Sequence, residues 1–291
     1  MAEVENKNTK VGTVAILGLG LIGGTFAYAL RDHKIAEKII GIRVGRPSEA
    51  KALALGIVDE LLPMEEAIGK ADLVILSVPV NTCVEVLPKV LDLVENQMVI
   101  DMGSTKEALI KAVAGHPKRK RFLPAHPMWG TEFSGPEAAM HHVLQGKNFI
   151  ICSKEDSDPD VSETVEKIIK KIGMNIVYMN GMAHDVHLAY VSHISHITSF
   201  ALANTVLEKE KEEDNIFDLA SSGFESTVRL AKSNPQTWVP IFMQNKENVL
   251  DVLNEHISQL RKFKSSLEKE NWEFLADLID NSNKIKKILD R

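Results

Sequence analysis

The chain has 291 residues, 44% hydrophobic and 25% charged, with a formal net charge of −6. That balance describes a water-soluble folded protein and excludes a general nucleic-acid or anionic-membrane binder, which needs a basic face. No apolar run nears the ~20 residues of a membrane helix, and Cys83 and Cys152 are too few for a disulfide framework or a zinc site, which points to a reducing, cytoplasmic setting. "MAEVENKNTK" at the N-terminus lacks the apolar core of a signal peptide, so the chain is expected to be loose up to Lys10.

Short apolar runs then alternate with helical patterns. "VGTVAILG" (11–18), "IIGI" (39–42), "DLVILSV" (72–78), "MVIDM" (98–102) and "RFLPA" (121–125) read as strands. They are nearly continuous in Val, Ile and Leu, as strands covered on both faces are. "IGGTFAYALRDH", "PSEAKALALG", "NTCVEVLPKVLDLV" and "TKEALIKAVAG" read as the helices between them. The alternation implies right-handed crossovers and a doubly wound parallel sheet, an α/β fold. "NFIIC" (148–152) and "NIVYM" (175–179) read as further strands around a helix at 158–172.

Beyond residue 182 no strand is expected. "AHDVHLAYVSHISHITSFALANTVL" reads as one long helix, and "NIFDLASSGFESTVRLAKS" as one or two more. Asn234 caps a helix opened by Pro235. That helix carries Trp238, Phe242, Val249, Leu253, Leu260, Phe263 and Leu267 at helical spacing. Asn271 caps a last helix running to near Arg291. The expected organisation is an α/β domain over 11–181 and an all-helical domain over 182–291, whose long apolar stripes call for a second copy: a homodimer.

"GLGLIG" (18–23) gives the first domain a chemistry. It follows a strand and opens a helix, the setting of a Rossmann-like dinucleotide loop. Gly18 makes the tight turn, Gly20 admits a pyrophosphate, and Gly23 lets helix and strand pack closely, with Leu21 and Ile22 opening the helix. At the end of the second strand, where an acid would accept bonds from the ribose of NAD, stand Arg43 and Arg46. Guanidiniums suit a 2′-phosphate, so NADP is expected over NAD. Ser77, Val78 and Pro79, at another strand end, should lie along the cofactor.

Three more stretches bear polar groups toward the same sheet edge. "DMGSTK" (101–106) puts Ser104 at a helix N-terminus facing the cleft. "AHPMWGTE" (125–132) carries His126 at the end of the next strand, with Thr131 and Glu132 after it. "SHISH" (192–196) places His193 and His196 on one helical face, whereas His184 and His187 fall on the other side and read as structural. Arg229 and Trp238 lie in "VRLAKSNPQTW". His193 and His196 lack a third and fourth ligand, so no metal is expected. His33, His116, His141, His142 and His256 read as loop or surface residues.

Taken in order, "GLGLIG", "DMGSTK", "HPMWGTEFSG", "HDVHLAYVSHISH" and "GFESTVRLAKSNPQTW" resemble the prephenate dehydrogenase family, which includes arogenate and cyclohexadienyl dehydrogenases. The resemblance implies oxidative decarboxylation of prephenate, with hydride passing to a nicotinamide cofactor, on the route to tyrosine. It implies His126 as the base for the C4 hydroxyl and Ser104 as its partner. Arg229 would pair with the ring carboxylate; His193 and His196, with Thr131 and Glu132, would line the cleft; and Trp238 would close it against the partner subunit. Arogenate dehydrogenase is the nearest rival, since Glu132 suits an ammonium; a reductase of the same two-domain plan or a non-catalytic NADP-binding sensor is more remote. Departures are Arg43 in the acid's place, Trp129 in place of a small residue, and Ser226 where an Asp often precedes the arginine by three. A chain ending at Arg291 leaves no room for a C-terminal regulatory domain, and none is expected; nor is a mutase segment expected ahead of residue 11.

Overall fold

The structure, a computed structural model, describes residues 10–213 and 215–289; the tail before Lys10 lies outside them. Strands β1 (Val11–Leu17), β2 (Ala36–Ile42), β3 (Glu60–Leu62), β4 (Leu73–Leu76), β5 (Met98–Asp101) and β6 (Phe122–Leu123) form one sheet in the order β3-β2-β1-β4-β5-β6. Every neighbouring pair is parallel, as the alternating pattern predicts. Successive side chains point to opposite faces, so β1 feeds two cores. Val14 and Ile16 pack with Phe26 and Leu30 of α1 (Leu21–Asp32) and with Val165 and Ile169 of α6 (Pro159–Ile172). Ala15 and Leu17 pack with Leu87, Val90 and Leu91 of α4 (Val80–Leu93) and Leu109 of α5 (Glu107–Ala112). Each such aliphatic side chain contributes roughly 1.5–3 kcal/mol by leaving water. Between these helices lie α2 (Pro47–Ala54) and α3 (Met64–Lys70).

Two strand expectations need correction. The run 121–125 is not one strand. Pro124 has no N–H to give a ladder, and there the chain leaves the main sheet. β7 (Ala125–Pro127) pairs antiparallel with β8 (Asn148–Cys152), which runs parallel to β9 (Asn175–Met179) in a second, three-stranded sheet. His126 therefore stands on the second sheet, opposite Ile150, and not at the edge of the first. The three-residue β3 was not expected; it is too short to show a period.

After β9 the chain is helical: α7 (Gly181–Leu188), α8 (Ile194–Glu210), α9 (Ser222–Val228), α10 (Pro235–Gln244), α11 (Lys246–Glu268), α12 (Trp272–Asn283) and α13 (Lys286–Leu289). Asn234 accepts from the Gln236 amide at 2.8 Å and Asn271 from that of Phe274 at 3.1 Å, the two caps the sequence predicts. The expected single helix over 183–207 is broken by a wider, π-helical turn at Ala189–His193. The helix opened by Pro235 breaks at Asn245. This half has little core of its own. Among the described residues beyond Ala189, the buried apolar side chains are Ile241, Val249 and Val252, whereas Leu207, Leu219, Met243, Leu260, Trp272 and Ile288 are exposed.

The halves are joined through Asp185 on α7. Its buried carboxylate accepts from the amides of Lys106 (2.8 Å) and Glu107 (2.9 Å), capping α5 from across the molecule. Asn245 adds a 2.7 Å bond to the Asp185 carbonyl, and Thr105 a 2.6 Å bond to Gln244. Asp185→Ala strands one buried and one part-buried amide, at up to roughly 1–3 kcal/mol apiece. Urea unfolding is expected to show a loss of about 3 kcal/mol; an unchanged midpoint would mean that water caps α5 equally well.

Candidate active site

The glycine loop adopts the conformation its spacing predicts. Gly18 has φ +95°, and a Cβ there would collide with the Ser77 carbonyl. A Cβ on Gly23 would meet the Gly18 carbonyl, so both glycines are required by the close approach of β1, α1 and β4. Beside Gly20 there is open space, and the first turn of α1, Leu21 and Ile22 included, has no acidic residue. That cradle fits a pyrophosphate. Ser77 donates its amide to Leu17 at 2.7 Å, and Pro79 starts α4. Arg43 and Arg46 are both exposed just past β2. The nearby Glu49 carboxylate is occupied by the amides of Val44 (2.9 Å) and Gly45 (3.2 Å).

Beyond the cradle, buried charge organises the cleft. Asp101, at the C-terminal end of β5, forms an ion pair with Lys106, both fully buried. Asp101 also accepts from the amides of Gly103 (2.9 Å) and Ala125 (3.1 Å), the latter tying β5 to β7. A chain of imidazoles runs from Asp185. His184 Nδ1 bonds Asp185 at 2.7 Å, and His184 Nε2 bonds His126 Nδ1 at 2.9 Å. This order fixes the protons. The carboxylate accepts from His184 Nδ1–H, so the Nε2 of neutral His184 is an acceptor. His126 Nδ1–H must donate to it. The lone pair of His126 is thereby left on Nε2, which has no protein partner among the described residues.

His193 is set the opposite way. The side-chain amide of Asn245 donates to its Nδ1 at 3.1 Å, which leaves the proton on Nε2. That Nε2–H is buried and unpartnered. The cleft thus holds one imidazole that accepts and one that donates. His196 is stacked on Trp238, ring centres 3.4 Å apart, and bonds the Ser192 carbonyl at 3.0 Å. Trp238 also meets His193 edge-on at 5.9 Å. Arg229 senses His196 electrostatically and bonds Glu132 at 3.1 Å.

Burial pushes every one of these imidazoles below its ordinary range. For His126 it does so strongly, and a second proton on the neighbouring His184, the Lys106 ammonium and a proton on His193 each oppose its protonation further. For His184, burial outweighs the opposing pull of Asp185. His193 falls to about 4, chiefly by burial, and His196 is lowered by burial against its bond to Ser192. All four are neutral at pH 7.

The structure alters several sequence expectations. His184, read as structural and on the wrong face, is the direct partner of His126. In an unbroken α-helix residues 184 and 193 lie nine positions, hence about 180°, apart. The wider turn at Ala189–His193 removes roughly a quarter-turn of that phase, and both rings reach the cleft. Ser104 does not cap α5, which starts three residues later, and among the described residues no hydrogen bond joins it to His126. Thr131 accepts from the Phe133 amide at 3.3 Å within its own loop. Trp129 packs against the first core. Ser226 bonds the Gly223 carbonyl at 2.9 Å, so Arg229 pairs with Glu132 instead. Asp101, Lys106, Asp185 and Asn245 were missed. Their signal was an acid closing an apolar strand, and a lysine five residues on.

Residues 26–178 match the model of the prephenate dehydrogenase nucleotide-binding domain, and residues 180–281 that of the prephenate dehydrogenase dimerization domain. The chain belongs to the prephenate dehydrogenase family. It is 29% identical to prephenate dehydrogenase of Bacillus subtilis over 92% of this chain and 73% of that protein. To cyclohexadienyl dehydrogenase of Zymomonas mobilis it is 28% identical over 93% and 94%. The crystal structure of prephenate dehydrogenase from A. aeolicus in complex with hydroxyphenyl propionate and NAD+ superposes with a TM-score of 0.87 at 31% identity, covering 99% of this chain and 100% of that one. Membership makes the chain a dehydrogenase that uses a nicotinamide cofactor and a small-molecule substrate, and sets aside the sensor reading.

Because the imidazoles are held neutral, acid works against the fold. Below about pH 6.5 the unfolded chain binds protons that the folded chain refuses. Stability is therefore expected to fall as pH drops from about 6.5 toward the His193 value of about 4. In urea unfolding at stepped pH, His193→Gln should flatten this slope by up to one proton, about 1.4 kcal/mol per pH unit. An unchanged slope would show that His193 is not buried neutral.

Proposed function

We propose that the chain catalyses oxidative decarboxylation of prephenate to 4-hydroxyphenylpyruvate with NADP as hydride acceptor, a step of tyrosine biosynthesis. The observation that carries this reading is the free Nε2 lone pair of His126, set by the Asp185–His184 relay. His126 takes the proton of the C4 hydroxyl as hydride leaves C4. The ring then carries a ketone, the carboxylate departs as CO2, and its bonding electrons make the ring aromatic. The phenolate oxygen recovers the proton from His126. A base of this kind contributes about 10²–10⁴ in rate. The glycine loop would hold the pyrophosphate of the dinucleotide, whose nicotinamide would supply the hydride acceptor.

Other residues orient the substrate. Arg229 uses one N–H on Glu132 and has further donors for the ring carboxylate. The unpartnered Nε2–H of His193 suits an oxygen of the side chain, with His196, Trp238 and Thr131 along the wall and Ser104 beside the hydroxyl. Prephenate is favoured over arogenate because Glu132, the carboxylate that would attract an ammonium, is tied to Arg229. NADP is favoured because Arg43 and Arg46 are exposed past β2 while Glu49 is spent on backbone amides. The working division is a dinucleotide-binding domain over 11–181 and a helical substrate and dimerisation domain over 182–291, supported by the end of β9 at Met179 and the start of α7 at Gly181. A cytoplasmic setting is consistent with the free thiols Cys83 and Cys152.

Steady-state rates on prephenate or arogenate, each with NAD or NADP, are expected to be highest for prephenate with NADP. In that pairing His126→Asn should lower kcat by about 10²–10⁴, and His184→Phe should lower kcat more than it raises KM. Full activity of His126→Asn would overturn the proposed base, and a preference for arogenate or NAD the corresponding choice.

A homodimer completes the proposal, supported by the scarcity of buried apolar side chains beyond Ala189 and the exposed Leu207, Leu260 and Trp272. Light scattering should give twice the mass of one chain, and Leu260→Asp should shift it toward monomer. A monomeric wild type would refute the dimer.

A further inference from the structure

Away from the cleft, the loop that follows the site segment lies along α1, and it ends in two histidines facing one carboxylate. Ala139 sits over Gly24, where an added Cβ would meet its own at 2.7 Å. Next, the Met140 amide donates to Thr25 Oγ1 at 3.1 Å. The His141 ring then stacks on Tyr28, centres 3.8 Å apart. Contacts at positions 24, 25, 28 and 32 follow one stripe of the helix. At its end, Asp32 Oδ2 lies 2.9 Å from His141 Nδ1 and 3.6 Å from His142 Nδ1.

We propose that Asp32, His141 and His142 form a binding site for a late first-row divalent cation, of which Zn2+ is the test case. One oxygen and two imidazole nitrogens, all within 4.8 Å of one another, make a three-ligand set. Zinc–ligand bonds of about 2.0–2.1 Å in a tetrahedron put neighbouring ligand atoms about 3.3 Å apart. The observed 2.9 and 3.6 Å bracket that spacing. Two imidazoles with a carboxylate favour zinc, copper or nickel over magnesium or calcium, which prefer oxygen. Water fills the fourth position.

The donors are arranged before any ion arrives. His142 has φ +58°, a left-handed conformation uncommon outside glycine, and this turn brings its ring to the carboxylate already faced by His141. Stacking on Tyr28 fixes the plane of His141, and the Thr25 bond fixes the loop. Asp32 is the last residue of α1, where the helix dipole favours positive charge. A metal here would clip the loop to the C-terminal end of the helix whose other end carries the glycine cradle. Its role is structural, since it touches none of the cleft residues. The sequence alone places both histidines as surface residues and gives no reason to join them to Asp32, more than 100 positions away.

The test is calorimetric titration of ZnCl2 into chelator-stripped protein at pH 7.5, with thermal unfolding beside it. One site per chain is expected, with a rise in Tm on adding zinc. His141→Ala, His142→Ala and Asp32→Asn should each weaken binding at least tenfold and abolish the rise in Tm above each variant's own metal-free value, while the metal-free variants keep the wild-type turnover. Cobalt in place of zinc should give the visible absorption of a tetrahedral site in the wild type and not in the His141→Ala/His142→Ala double variant. No binding by wild type, or binding unchanged in the three variants and so located elsewhere, would overturn the proposal.

Discussion

The carboxylate of Asp185 is the interaction on which the molecule turns. It is buried, and it accepts from two backbone amides at the start of α5 and from the ring of His184. Bonds to an ionised acceptor are the stronger kind, and these reach two different parts of the structure. Two fasten the helical half to α5 of the α/β half; the third sets the tautomer of His184 and, through it, that of His126. Cohesion of the two halves and the tautomer of the proposed base therefore rest on one group. A hydrophobic residue at 185 would leave α5 uncapped and the relay without a direction.

Burying that much polarity is costly unless each group is satisfied. Here the accounting closes locally. Asp101 and Lys106 form a fully buried pair, and Asp101 takes two further amides. The imidazoles nearby are kept uncharged by burial. A neutral imidazole in such a place can accept a proton only when something drives the transfer, such as a hydroxyl losing hydride at its own carbon. The orphaned Nε2–H of His193 is the exception to local satisfaction. A buried donor without a partner is destabilising by roughly 1–3 kcal/mol, a cost that a substrate oxygen can offset.

Much of this was legible in the sequence, and the reasons are specific. The run "VGTVAILG" with "GLGLIG" announces both its strand and its anion cradle, because steric needs at Gly18 and Gly23 are local. Caps at Asn234 and Asn271 are likewise settled within three residues. What escaped depends on phase or on contacts distant along the chain. Pro124 sends the chain from one sheet to the other, a choice made by the partner strand β8 and invisible in five residues. The wide turn at Ala189–His193 rotates everything after it, so a face assignment made with a constant 100° step put His184 on the wrong side. Asp185 looked like one more polar residue in a helix because its partners lie almost 80 positions earlier.

The breaks in the helices then acquire a common explanation. Asn245 stands at the break between α10 and α11 and is buried, its amide reaching both the Asp185 carbonyl and His193 while its own oxygen accepts from Asn248 at 2.7 Å. The π-helical turn does the same for His193 on the neighbouring helix. Each irregularity sacrifices regular helix geometry to deliver one polar group to the cleft, in a half that has few buried apolar side chains to hold such distortions. The distortions persist because the polar bonds they create are themselves the fastening between the halves: the groups that arrange the chemistry also hold the helices in place.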